Sequence, residues 1–411
     1  MIIRKESENK KLSNNILSLA QIASKAKALN PKVINATIGM YNDSDNSFYT
    51  FKAVKEVLKT IDERSAFAYS DTDGGKDFHD AMVKWVFKDY NNDFKNHYIG
   101  VVATPGGSGA IATTFQNYVD KGEKVLLPNH MWETYITFLN ERECGYTRYT
   151  LTDDEGNFNL LSLEEEIVKI KDVQERILIV INDPCHNPTG FCMSDDDYEK
   201  LVDLLNKFTN NSFVLLMDIA YFDFYNQDRN IVRERYSKLS RLEKHVLINF
   251  AFSGSKTFGL YGLRIGASIM LSRDVAEIDC FKNAVTYTSR SNWSSTSSLG
   301  IAIISKLVLD ETYNNMFVEE VKKVSYDLTL RSRAFIEVAN EIGLPMLPFN
   351  QGFFVCVPTK DPVRLMRKLY DYDSYVVVTK SCIRIALCAI NEEEARKLPR
   401  IIKNVMDELG E

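Results

Sequence analysis

The sequence predicts an α/β protein built on a mostly parallel, seven-stranded sheet, followed by a smaller α/β segment. Three observations carry that expectation. Seven short apolar runs, at 99–103, 125–128, 146–151, 177–182, 213–218, 246–252 and 265–271, alternate with amphipathic stretches of helical period. The runs are continuously apolar, which marks strands covered on both faces. Polar, glycine-rich turns follow several of them, where the ligands of such sheets bind.

The composition fits that class. A chain of 411 residues, 45% hydrophobic and 26% charged, is long enough for two domains and a sizeable core. A net charge of -6 argues against nucleic acid as a partner. The start, Met1 to Glu8, has charge but no apolar signal-peptide core, and no run approaches a membrane span; a cytoplasmic protein is expected. Seven scattered cysteines fit a reducing compartment, and His79, His97, His130, His186 and His245 show no metal-ligand spacing, so no metal is expected.

Taken in order, residues 1–35 read as a polar arm and a short helix, too little for an N-terminal DNA-binding domain. A helical segment at 51–62 precedes a turn-rich loop, Ala68-Tyr69-Ser70-Asp71-Thr72-Asp73-Gly74-Gly75. Within the alternating region, Ser194 with Asp197 and Ser162 with Glu165 have capping-box spacing and predict helix starts. A Ser/Thr-rich loop is expected over 286–298, then long helices to about 342. Strands at 352–357 and 382–387 close the chain with a helix from Asn391, capped with Glu394 and kinked at Pro399.

Chemistry gathers at the strand ends. Thr104-Pro105-Gly106-Gly107-Ser108-Gly109-Ala110 joins the first run to a helix; its glycines let backbone N–H groups approach an anion, and the helix dipole favours phosphate. Gly107 to Ala112 also fits the dinucleotide fingerprint G-x-G-x-x-A, but the next strand ends in Pro128-Asn129-His130, without the acid a ribose needs. Trp132 stands beyond that strand, as a stacking ring or as core. Asn187, in Asn182-Asp183-Pro184-Cys185-His186-Asn187-Pro188, is a donor to a phenolate oxygen or plain turn chemistry. Asp218 ends a buried strand, where a pyridinium N–H or a local cap would satisfy it; Tyr221 follows three residues later. The sixth run leads into Phe252-Ser253-Gly254-Ser255-Lys256-Thr257-Phe258-Gly259-Leu260-Tyr261-Gly262-Leu263-Arg264-Ile265-Gly266. A lysine there is either solvated in a surface turn or desolvated into the nucleophilic amine that carbonyl cofactors, above all pyridoxal 5'-phosphate (PLP), require.

With these pieces on successive strand ends, the chain resembles the fold-type-I PLP-dependent aminotransferases from about residue 33 onward, most closely the class I aspartate and aromatic aminotransferase subgroup. The resemblance implies the PLP-transferase fold, with a large PLP-binding domain over 44–320 and a small domain made of 1–43 and 321–411. It implies Lys256 as the Schiff-base lysine and proton shuttle, Asp218 as partner of the pyridine nitrogen, and Asn187 and Tyr221 on the cofactor's 3′-oxygen. Gly107, Ser108, Gly109, Ser253, Ser255 and Arg264 match the phosphate cradle, and Tyr69 matches a tyrosine reaching the neighbouring subunit's phosphate. Trp132 matches the stacking ring. Arg384 matches the clamp on the substrate α-carboxylate, and Gly39, in Ile38-Gly39-Met40, the segment closing over the substrate. Arg290 aligns with the arginine taking a distal carboxylate across a homodimer with shared active sites. Two departures stand out: Tyr135 replaces the subgroup's usual histidine near the tryptophan, and Gly262-Leu263 replaces a polar pair.

The implied activity is ping-pong transfer of an amino group from an L-amino acid, aspartate favoured and aromatic ones next, to 2-oxoglutarate. Its rivals are a broad-range aromatic aminotransferase, a PLP lyase or decarboxylase on the same fold, and a ligand-sensing regulator without catalysis. A lyase cycle need not accumulate pyridoxamine phosphate, and such a regulator would carry a DNA-binding domain.

Overall fold

All seven apolar runs form strands of one sheet: β1 (Tyr98–Thr104), β2 (Lys124–Pro128), β3 (Gly145–Tyr149), β4 (Arg176–Asn182), β5 (Ser212–Asp218), β6 (Val246–Ser253) and β7 (Gly266–Ser272). The computed structural model describes residues 2–3, 5–8, 10–11 and 16–411, and the other residues of the expected N-terminal arm lie outside these. In space the strands follow the order β1-β7-β6-β5-β4-β2-β3. Six run in one direction; β7 pairs antiparallel with both β1 and β6. The reason is the connection. Residues 254–265 hold only a four-residue helix, Gly254–Thr257, which is too little to carry the chain back for a parallel return.

Both sheet faces are covered, as continuous apolar strands require. Ile179, Leu215 and Ile248 pack into one apolar cluster, and Leu178, Val180, Val214 and Leu216 into another on the opposite face. The carboxyl ends are in register: Asn182 pairs with Asp218 and Asp218 with Ala251, so β4 and β5 stop level and β6 runs two residues further, to Ser253. Gly266 pairs with both Thr104 and Ser253. A Cβ there would lie 2.4 Å from the Phe252 carbonyl oxygen and 2.5 Å from the Gly106 carbonyl carbon. Only glycine permits that approach of three backbones.

A third apolar cluster, including Val355, Val357, Ile383, Ile385, Leu398 and Ile402, surrounds a small antiparallel sheet. Its strands β8 (Phe354–Pro358), β9 (Val377–Val378) and β10 (Cys382–Ala386) lie in the order β9-β10-β8. The helix Glu392–Leu409 covers it, begins at the expected Asn391–Glu394 capping box and continues through Pro399. Ile34–Asn35 pairs parallel with Ser374–Tyr375, so the N-terminal chain packs with this C-terminal unit. The 31-residue helix Glu311–Glu341 serves the first and third clusters, through Phe317, Val321 and Leu328 and then Ala334, Phe335 and Ala339.

Two local expectations change. The helix Val275–Asn292 occupies the first half of the expected 286–298 loop, because Ile278, Phe281, Val285 and Thr288 bury one helical face. The helix Leu160–Ile170 is capped by Asn159, which accepts from the Ser162 N–H, rather than by Ser162 itself. The Ser162 hydroxyl instead accepts from the Thr150 N–H at 2.9 Å. Ser194 and Asp197 do form a capping box.

Candidate functional site

The turns at the carboxyl ends of β1, β4, β5 and β6 enclose a cavity of about 260 Å³, on the scale of a small metabolite. Gly39, Gly107, Ser108, Trp132, Asn187, Asp218, Tyr221, Ser253, Ser255, Lys256, Arg264 and Arg384 all line it. Of the residues singled out from sequence, Gly109, Tyr69 and Arg290 do not. Gly109 faces its own turn, where a Cβ would fall 2.5 Å from Pro105 Cδ.

One end of the cavity is built for an anion. The helix Gly106–Tyr118 starts there, with the unpaired N–H groups of its first turn. Gly106 takes φ +72, and a Cβ on it would sit 2.9 Å from Arg264 Nη2. Arg264 Nη1 donates to Ser255 Oγ and to the Tyr261 carbonyl, both at 3.0 Å. This arginine adopts a left-handed φ of 52 at the rim, conformational strain held by its surroundings.

Lys256 occupies the centre. Its Nζ donates to the Gly39 carbonyl at 2.6 Å and lies 5.0 Å from the centre of the Tyr261 ring. Burial lowers its ammonium to about 8, with the Arg384 and Arg264 charges adding to that effect. A neutral amine is therefore accessible near physiological pH.

At the other end Asp218 is 6% exposed, and desolvation raises its carboxyl to about 6. Its Oδ2 accepts from the Tyr135 hydroxyl at 2.6 Å and its Oδ1 from the Ala220 N–H at 3.2 Å. Asn182 Nδ2 donates to the Asp218 carbonyl at 2.7 Å, while its Oδ1 accepts from the Asn187 N–H at 2.7 Å. One amide thus fixes two strand ends. Trp132 meets Tyr135 edge-on at 5.5 Å, which sets the plane of the tryptophan along the cavity wall.

Arg384, brought by β10, donates from Nη2 to the Thr37 carbonyl at 2.9 Å and from Nη1 to Asn187 Oδ1 at 3.3 Å. Its guanidinium lies 4.2 Å over the Phe354 ring, and its buried Nε has no hydrogen-bond partner. A buried cation lining a cavity is fitted to receive a carboxylate.

Sequence reading did not single out Asn182, Ala220, Tyr261 or Phe354 as lining residues. Asn182 had a visible signal, an amide closing an otherwise apolar strand; Tyr261 and Phe354 are turned inward by the fold alone. Tyr69 is 92% exposed and Arg290 donates to Ser294 Oγ at 2.6 Å, both outside the cavity of their own chain. Among the described residues no group of three or more His, Cys, Asp or Glu side chains could hold a metal ion.

A family model, aminotransferase class I and II, matches residues 31–402. The chain is 24% identical over 313 residues to an aspartate aminotransferase of Haemophilus influenzae, covering 75% of this chain and 77% of that one. It is 21% identical over 313 residues to an aromatic-amino-acid aminotransferase of Escherichia coli, covering 74% and 76%. The solved structure of an aminotransferase from Anaerococcus prevotii superposes with a TM-score of 0.93 at 25% identity, over 98% of both chains.

Proposed function

The chain belongs to the class I and II aminotransferases, and on that premise we propose that its cavity holds PLP and moves an amino group from an L-amino acid, aspartate foremost, to 2-oxoglutarate. The observation that supports this most directly is the placement of Lys256 between an anion cradle and a buried carboxylate, with Arg384 beside it. The residues fit the cofactor. Gly106 and Gly107 let Arg264 and Ser253 close on the helix start, where a Cβ would lie 2.9 Å from Arg264 Nη2 and 3.3 Å from Ser253 Cβ, and Asp218 is a buried carboxylate with room for one more donor. When bound, PLP supplies a carbonyl for amines and a ring that accepts the electron pair left by a departing Cα proton.

The protein's own part divides by position. Ser108, Ser253, Ser255, Arg264 and the first turn of the helix Gly106–Tyr118 would hold the phosphate. Asp218 would offer its carboxylate to the ring nitrogen, Asn187 and Tyr221 would hold the phenolic oxygen, and Trp132 would flank the ring. Lys256 Nζ, near pH 8 half neutral, takes and returns the Cα proton. Arg384 orients the substrate by its α-carboxylate, and Gly39 closes over it.

The division into a large unit over 44–320 and a small one of 1–43 with 321–411 belongs to the same proposal, as do a homodimer and a cytoplasmic location. One exposed face supports the homodimer. Phe67 and Tyr69 are 83% and 92% exposed. The loops around them are joined, Ser298 Oγ donating to the Ala68 carbonyl at 2.6 Å, and Thr296 Oγ1 ties them to the Arg264 carbonyl at 3.1 Å. This face therefore borders the phosphate end of the cavity.

The test is purified protein loaded with PLP and given aspartate, tyrosine, phenylalanine or alanine with 2-oxoglutarate, with glutamate measured. Glutamate formation fastest with aspartate is expected. No glutamate from any donor would remove the reading.

A further inference from the structure

Tyr135 has no role in the reading above, yet it is the side chain closest to Asp218. It lies on the helix Thr134–Glu141, is fully enclosed, and places its hydroxyl 2.6 Å from Asp218 Oδ2. A carboxylate only accepts, so the phenol donates. Around the phenol lie Asp218, Tyr221 and Tyr149, and burial holds its own ionisation well above the ordinary range. It remains a donor at any working pH. The groups facing Asp218 are Tyr135, the Ala220 N–H and, at longer range, Tyr221 and Lys256. Lys256 already donates to the Gly39 carbonyl, so Tyr135 is the side-chain donor dedicated to this carboxylate.

A proton shared between a buried carboxylate and a pyridine nitrogen goes to the side whose charge is better solvated. A donor on the far oxygen favours the carboxylate and leaves the proton on nitrogen. We propose that Tyr135 is a positioning residue that keeps Asp218 ionised and, through it, keeps a proton on the ring nitrogen of the cofactor. This rests on the reading that the cavity holds PLP. The edge-on contact with Trp132 lets the same residue hold the ring's flanking wall.

Two measurements on Tyr135→Phe, which keeps the ring and removes only the donor, test this. In cofactor-free protein, carbon NMR of the Asp218 carboxyl, assigned with Asp218→Asn, should titrate near 6 in the wild type. In Tyr135→Phe the midpoint should rise by about one to two pH units, the size of one hydrogen bond to a charged group. In protein loaded with ring-labelled PLP, the nitrogen resonance at pH 7.5 should be that of a protonated pyridine and move toward the unprotonated position in Tyr135→Phe. Tyr135→His, which restores an N–H donor, should return both signals toward wild type. A variant that melts earlier but leaves both signals in place would show a packing role only and overturn the proposal. So would a shifted Asp218 midpoint with an unmoved ring resonance. A wild-type protein that shows no bound ring signal would instead overturn the reading of the cavity, while the carboxyl titration still reports on the Tyr135–Asp218 bond.

Discussion

A carboxylate enclosed at the tip of β5 burdens the cofactor-free fold. Asp218 titrates near 6 in the folded chain against about 3.9 unfolded, so the native state holds this proton more tightly. The sign follows from linkage. Above pH 6 the ionised, desolvated group costs stability, and the cost fades as pH falls from 6 toward 4, where the native carboxyl becomes neutral. Two units correspond to about 3 kcal/mol at most, reduced by whatever hydrogen bonding an amide loses. Asp218→Asn should therefore raise the denaturation midpoint of cofactor-free protein at pH 7.5, and the advantage should shrink on acidification toward pH 4. The same variant should lose most transamination, since an amide cannot carry the charge a protonated ring nitrogen needs. A variant less stable than wild type at pH 7.5, or a gap that widens in acid, would mean Asp218 is held by structural partners and is no functional strain. The supporting contact from Tyr135 could not have been read from sequence, because it joins residues 83 positions apart through the sheet.

At the scale of elements, the anion end depends on two segments that meet across β7. The helix Gly106–Tyr118 enters from β1, and the Lys256 turn returns into β7, which pairs with β1. Gly106 is where they touch. Gly106→Ala meets a positive φ and the Arg264 guanidinium together, whereas Gly122→Ala meets a φ of +88 with nothing within 4 Å. The left-handed conformation alone costs either variant about 1–2 kcal/mol. Only Gly106→Ala should also displace Arg264, lowering affinity for PLP and for inorganic phosphate by roughly tenfold or more. Equal phosphate binding by the two variants, measured by equilibrium titration, would take Arg264 out of the cradle. The strands were legible from sequence because burial on both faces leaves an unbroken apolar run, as in Ile177-Leu178-Ile179-Val180-Ile181. The helix over 275–292 was less so. Its last turn, Ser289-Arg290-Ser291-Asn292, has loop composition and is helical because Val285 and Thr288 beneath it are buried. Asn159 was missed as a cap because Ser162 and Glu165 offered the same spacing three residues later.

The whole chain is acidic, at -6, yet its cavity gathers Lys256, Arg264 and Arg384. That contrast draws small anions inward and suits a phosphate and a carboxylate arriving separately. In the proposed reading the cations of one chain account for the phosphate and one carboxylate; a dicarboxylic substrate needs another. Arg290 lies outside its own chain's cavity, three residues from the 79% exposed Tyr287 on the same helix, which fits service to a second subunit. If so, Arg290→Ala should lower kcat/KM for aspartate by about 3–5 kcal/mol, the cost of leaving a buried charge unpaired, and that for phenylalanine far less. Assembly can be tested with the same variant. Lys256→Ala and Arg290→Ala proteins, each strongly impaired toward aspartate, are mixed and allowed to exchange subunits. In a hybrid dimer whose sites draw Lys256 and Arg290 from different chains, one site collects both defects and the other has neither, so aspartate turnover should return. Were both residues drawn from one chain, every hybrid site would keep one defect. No recovery after proven exchange would mean that Lys256 and Arg290 are drawn from one chain, and an equal loss for aspartate and phenylalanine would place Arg290 outside the substrate site.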